Sequence, residues 1–128
     1  MANPVSWLAV GLGAAVGAWC RWLLGLRLNG LHASLPIGTL VANLLGGFVI
    51  GVLVAVFQSN PHLSDNWRLF LITGLLGGLT TFSTFSAESM LLMQRGQYLW
   101  VLGHSGLHLL GSIGCCVLGH ASYRLLAS

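Results

Sequence analysis

Apolar residues gather in four long runs along this chain, and polar residues fall mainly between them. The runs cover residues 5–28, 38–57, 67–93 and 99–126, each about the roughly 20 residues a helix needs to cross a bilayer, or more. The separators carry turn and interface residues: Asn29-Gly30 through Pro36, Ser59-Asn60-Pro61-His62 through Asn66, and Gln94-Arg95-Gly96-Gln97. Trp7, Trp22, Trp67, Tyr98, Trp100 and Tyr123 lie near the ends of the runs, where amphipathic rings settle at headgroup depth. The pattern predicts four membrane-spanning helices with both termini on one side.

The third run is not uniform. Within it, Gly74-Leu75-Leu76-Gly77-Gly78-Leu79 leads into Thr80-Thr81-Phe82-Ser83-Thr84-Phe85-Ser86. Unpaired backbone is costly in lipid unless it is buried in protein or lines a wet cavity. The run is therefore expected to break near its middle, at Gly77-Gly78, and the protein is expected to act there.

Composition removes the soluble alternative. The 128 residues are 55% hydrophobic and 5% charged, with mean hydropathy +0.85, whereas soluble domains are about 25% charged. Residues 1–128 are expected to form a single transmembrane domain of all-α class. Met1-Ala2-Asn3-Pro4 carries no basic residue, so the first run reads as a retained span rather than a cleaved signal. Cys20, Cys115 and Cys116 have no CxxC spacing and read as free thiols packed among apolar residues.

The charge pattern bears on topology. Five arginines and no lysine stand against Asp65 and Glu88, for a net charge of +3. Scattered arginines do not make a nucleic-acid surface. Arg68 and Arg124 fall on one side and Arg27 and Arg95 on the other, with Arg21 inside the first span. That balance gives the positive-inside rule no direction and leads to the expectation of insertion both ways round, as an antiparallel dual-topology homodimer. Gly13-xxx-Gly17, Gly47-xxx-Gly51 and Gly74-xxx-Gly78 are read as close helix-packing surfaces.

Few polar groups lie inside the spans, and each is a functional candidate because it costs free energy in lipid. Arg21 can snorkel to the interface, or it can place a fixed positive charge at a pore mouth or subunit interface. Asn43 can bond between helices or line a pathway. Glu88, the only carboxylate within a span, can act as an exchange site or bond to hydroxyls or to a histidine of the last span. His104, His108, Ser112, Cys116 and His120 recur every four residues and so share one drifting helix face. That face can be a polar track along a wet path, a set of interhelical hydrogen bonds, or a metal-ligating strip. Phe82 and Phe85 can simply pack; set among hydroxyls, their positive ring edges can also replace part of an anion's water shell. Carbonyls freed at Gly77-Gly78-Leu79-Thr80 suit a hard cation.

Three segments resemble the CrcB/Fluc family of bacterial fluoride channels: Gly17-Ala18-Trp19-Cys20-Arg21-Trp22, Gly38-Thr39-Leu40-Val41-Ala42-Asn43-Leu44-Leu45-Gly46-Gly47, and Gly77-Gly78-Leu79-Thr80-Thr81-Phe82-Ser83-Thr84-Phe85. The resemblance implies a dual-topology homodimer with two fluoride pathways at the subunit interface, in the bacterial inner membrane. It implies a structural Na+ held by the backbone carbonyls of Gly77 and Thr80 from both subunits. It turns the ring edges of Phe82 and Phe85 toward fluoride, with Asn43 as a hydrogen-bonding partner and Ser83 and Thr84 in the polar segment beyond the break. It maps a fourth-helix polar track onto His104, His108 and Ser112, where histidine replaces hydroxyl residues at the first two places. Arg21 falls near the pore entrance, and Glu88 where the family carries a carboxylate.

The function expected is passive fluoride export from the cytoplasm, giving fluoride resistance, without enzymatic chemistry. The alternative is a small dual-topology proton-coupled multidrug exporter, which would need a carboxylate deep in the first span; that span holds none. A histidine-dependent metal carrier would rest on His104 and His108. A scaffold without transport would leave the hydroxyl-rich break unexplained.

Overall fold

The computed structural model describes residues 2–128. Helix α1 spans Pro4–Leu28, with Pro4 in its first turn and Asn3 Oδ1 accepting the Ser6 N–H at 3.0 Å, an N-cap that satisfies an otherwise orphaned donor. A short 3-10 turn, Asn29–Leu31, leads to α2, Ile37–Ser59. The third span is composite. An α-helical turn Asp65–Arg68, a π-helical stretch Leu69–Leu76 and a last turn Gly77–Leu79 make up α3, residues 65–79. Phe82–Gln94 forms α4, and Tyr98–Ala127 forms α5. Gly96, at φ 73°, takes the left-handed conformation that ends α4 and turns the chain into α5.

Among the described residues, four segments are long and apolar enough to span a bilayer: Pro4–Leu31, Ile37–Ser59, Asp65–Gln94 and Tyr98–Ala127. Asn60 Nδ2 donates to the Tyr123 hydroxyl at 3.4 Å, and Ser6 Oγ to Asn66 Oδ1 at 3.2 Å. The start of α1, residues 60–66 and the end of α5 therefore share one end of the bundle. At the other end, the His32 and Trp100 rings lie 4.9 Å apart.

Glycine decides how the helices pair. A Cβ on Gly17 would collide with the Leu75 carbonyl, and one on Gly78 with the Ala14 carbonyl; the Gly13/Gly17 surface of α1 thus lies backbone to backbone on the Gly74/Gly78 surface of α3. A Cβ on Gly51 would strike the Cys116 carbonyl, and one on Gly119 the Phe48 carbonyl, so α2 and α5 approach equally closely. Small residues at such contacts supply the van der Waals packing that drives helix association in lipid. Across its most apolar window α2 is 39% buried, against 11% for the first and last spans, so α2 is the central helix.

The break lies three residues beyond the expected place. Gly77 and Gly78 remain helical, because Gly78 is needed where α3 packs on Ala14 and Ala18 of α1. Thr80 and Thr81 are the extended residues, with ψ 155° and 125°. The π-helical stretch before them had no expectation in the sequence.

Candidate functional site

The two extended residues expose backbone in the middle of a membrane span, and one side chain from α2 covers it. Asn43 Oδ1 accepts the Thr81 N–H at 2.8 Å, and Asn43 Nδ2 donates to the Thr81 carbonyl at 3.1 Å. The amide pairs with Thr81 as a strand neighbour would. Its second Nδ2 hydrogen faces His108 Nδ1 at 2.9 Å. The side-chain oxygen and both amide hydrogens of Asn43 have partners within the protein, so the amide positions the break.

The same diversions free carbonyls. In a continuous helix the Thr81 N–H would reach the Gly77 carbonyl, and the Thr84 N–H the Thr80 carbonyl. Thr81 gives its N–H to Asn43, and Thr84 gives its N–H to Thr81 Oγ1 at 3.1 Å. Arg21, half-buried in α1, donates from Nε to the Gly78 carbonyl at 3.0 Å. The guanidinium is docked on the turn before the break.

A second polar group crosses α2, α4 and α5. Glu88 Oε2 accepts the Thr39 hydroxyl at 2.7 Å, and its Oε1 lies 3.1 Å from His104 Nε2. His104, fully buried, has Nδ1 at 3.0 Å from Ser89 Oγ. An ionised carboxylate only accepts, so with Glu88 charged His104 holds its proton on Nε2 and takes the Ser89 hydroxyl on Nδ1. Hydroxyl and histidine partners are both present, and neither charge nor imidazole is left facing lipid unpaired.

Beside the first of these groups lies a cavity of about 490 Å³ whose wall includes Asn43, Thr80, Phe82, Phe85, His108 and Ser112. The Phe82 and Phe85 rings meet edge to face, 5.6 Å apart and inclined by 62°. His104 stacks on Phe85 at 5.1 Å and His108 lies over it at 4.8 Å, with the imidazoles 4.5 Å from each other. The three rings thus form one mutually packed cluster. Thr80, Thr81, Ser112, the two phenylalanines and His108 line one largely apolar space.

Asn43, Thr80, Phe82, Phe85, His108 and Ser112 meet at this cavity, with Gly77 beside them. His104 and Glu88 form the adjoining network. Ser83 is exposed, its hydroxyl 3.4 Å from Thr81 Oγ1. Cys116 and His120 continue along the same face of α5, where His120 Nε2 lies 3.1 Å from Gln58 Oε1. Sequence reasoning missed Thr39 and Ser89, which orient Glu88 and His104. Thr39 lies four residues before Asn43, on the same face of α2, and that spacing was the available signal.

The fold and the site define a multi-pass α-helical membrane protein with an interrupted span beside a largely apolar cavity that carries a few polar groups. Residues 8–120 match the family described as CrcB-like protein, Camphor Resistance (CrcB). A protein of Pseudomonas syringae pv. maculicola named fluoride-specific ion channel FluC is 50% identical over 96% of this chain and 97% of its own length. Proteins of the same name from Pseudomonas putida (strain W619) and Cupriavidus pinatubonensis are each 54% identical, over 95% and 98% of this chain and 96% and 99% of theirs. The chain belongs to the CrcB/FluC family.

Proposed function

We infer that this protein is a fluoride channel that lets fluoride leave the cytoplasm passively and so protects the cell from it. The observation that carries the reading is near-full-length identity of half or more to proteins named fluoride-specific ion channels. The cavity's chemistry supports it. Fluoride is small and strongly hydrated, so a path must offer close donors in place of water without holding the ion fast. Phe82 and Phe85 supply ring edges; His108 and Ser112 supply polar groups on the same wall. His104, Glu88, Ser83 and Thr84 extend the polar lining beyond the cavity.

The working unit in this reading is an antiparallel homodimer in the bacterial inner membrane, inserted both ways round. Phe82, Leu109 and Ile113 on the cavity rim are 79%, 62% and 55% exposed, an apolar edge that a second copy would cover. The balanced arginines permit that arrangement.

The carbonyls of Gly77 and Thr80 fit a hard monovalent cation, since the backbone donors that would occupy them are drawn to Asn43 and to Thr81 Oγ1. Those two carbonyls from each subunit would hold Na+, which supplies positive charge at the dimer centre. Arg21, bonded to the Gly78 carbonyl, braces the same turn.

Growth tests this function in a cell. A bacterium lacking its own fluoride exporter should regain growth on fluoride medium when it expresses this chain. Unrestored growth despite membrane-inserted protein would overturn the export role.

A further inference from the structure

One nitrogen of His108 has a role that the surrounding bonds dictate. Thr81 fixes the Asn43 amide, because its N–H requires Oδ1 and its carbonyl requires Nδ2. The remaining Nδ2 hydrogen points at His108 Nδ1, and a donor there demands an acceptor. In a neutral imidazole one ring nitrogen accepts while the other carries the proton. The proton of His108 therefore sits on Nε2. That nitrogen is enclosed and has no hydrogen-bond partner among the described residues, in a side chain whose residue is only 4% exposed. Folded proteins leave few buried donors unmade, because each one costs stability.

We propose that the Nε2–H of His108 is a preset donor for the permeating fluoride, its tautomer imposed by Thr81 through Asn43. The proposal rests on the channel reading and assigns one atom of the wall its task. The surroundings favour a small anion. His108 Nε2 is enclosed, so only a small ion could come within its reach; Phe85 and His104 pack against the imidazole at 4.8 Å and 4.5 Å, and the same residue lines the cavity. A donor fixed in advance needs no reorganisation when the ion arrives.

Two titratable groups face His108: His104 from the same helix and Glu88 from α4, with ligand-type atoms of all three within 4.8 Å of one another. Both Glu88 oxygens already meet donors, Thr39 Oγ1–H and His104 Nε2–H, which moderates the carboxylate's repulsion of a neighbouring anion. A metal ion suits the group less well. Metal binds the unprotonated nitrogen of imidazole; coordination through Nε2 would push the proton to Nδ1, against the Asn43 NH2, and coordination through Nδ1 would displace that amide.

Nitrogen NMR of the full chain in liposomes, labelled with 15N-histidine, tests this directly. The resonance absent from His108→Gln should report a neutral ring protonated at Nε2, and it should move on adding sodium fluoride but not equal sodium chloride. In flux, His108→Leu should slow fluoride efflux by roughly tenfold, the factor for about one hydrogen bond lost in transit. His108→Gln, which keeps an acceptor and a donor, should recover part of that loss. A ring protonated at Nδ1 overturns the proposal, as does a His108 resonance unmoved by fluoride in protein that transports it. A wild-type protein that transports no fluoride overturns the channel reading itself, and this assignment with it.

Discussion

Asn43 and Thr81, 38 positions apart in sequence, hold each other as a pair of strand residues would, with N–H to Oδ1 at 2.8 Å and Nδ2–H to carbonyl at 3.1 Å. One amide thus allows a helix to open inside a membrane. Replacing it by Asn43→Ala leaves Thr81 and His108 Nδ1 without partners. Each such buried group costs about 1–3 kcal/mol, so thermal unfolding in detergent should fall by several degrees. Fluoride efflux should drop by roughly tenfold or more, equivalent to about 1.4 kcal/mol. An Asn43→Ala protein with unchanged melting and efflux would show that the break stands without its clamp.

Backbone contact between α1 and α3 gives a second prediction. A Cβ on Gly78 would collide with the Ala14 carbonyl, whereas one on Gly11 meets nothing within 4 Å. Gly78→Ala should therefore destabilise the fold by about 1–3 kcal/mol, as overpacking does, and disturb the Arg21 bond to the Gly78 carbonyl. Gly11→Ala should melt like the wild type. Equal melting of the two variants would contradict the close packing described here.

The Glu88 network predicts a graded pair of losses. Thr39→Val removes one donor to Oε2 and should cost about 1 kcal/mol. Glu88→Leu strands the fully buried His104 Nε2 and the Thr39 hydroxyl together, and should cost distinctly more, up to about 3–5 kcal/mol. Denaturation of both variants in detergent reads the order, and Thr39→Val proving the worse would overturn this account of Glu88.

The spans and much of the chemistry were legible because lipid imposes simple rules. Runs of about 20 apolar residues had to cross, and the third run's hydroxyls had no apolar explanation. The glycine pairs showed that helices would pack closely, but their spacing alone did not say that Gly13 and Gly17 meet Gly74 and Gly78. The break was displaced because glycine only permits irregular backbone. What selects Thr80 and Thr81 is the Thr81 side chain capping Thr84 and the amide of Asn43. That second partner comes from another helix, and no local pattern shows it. The π-helical stretch Leu69–Leu76 was invisible for a similar reason: its residues are ordinary helix-compatible apolar ones. Arg21 likewise gave no local sign that its partner would be the Gly78 carbonyl.

Topology supplies a fourth prediction. With Arg68 and Arg124 set against Arg27 and Arg95, a reporter fused after Ser128 should be active on both sides of the membrane. Adding two lysines to the loop around Pro61 should bias it to one side and reduce function, since an antiparallel pair needs both orientations. A one-sided reporter in the unmodified protein would contradict the dual insertion. Removing Na+ should weaken the dimer or its flux, and indifference to Na+ would argue against the cation at Gly77 and Thr80.

Flux from liposomes carrying the purified protein, followed with fluoride and chloride electrodes, tests the central claim most directly. Fluoride should leave wild-type vesicles rapidly while chloride is retained. Phe82→Ile, which removes the exposed ring from the cavity wall, should slow fluoride strongly without unfolding the protein. Well-folded wild-type protein that passes no fluoride, or passes chloride equally well, would contradict the account.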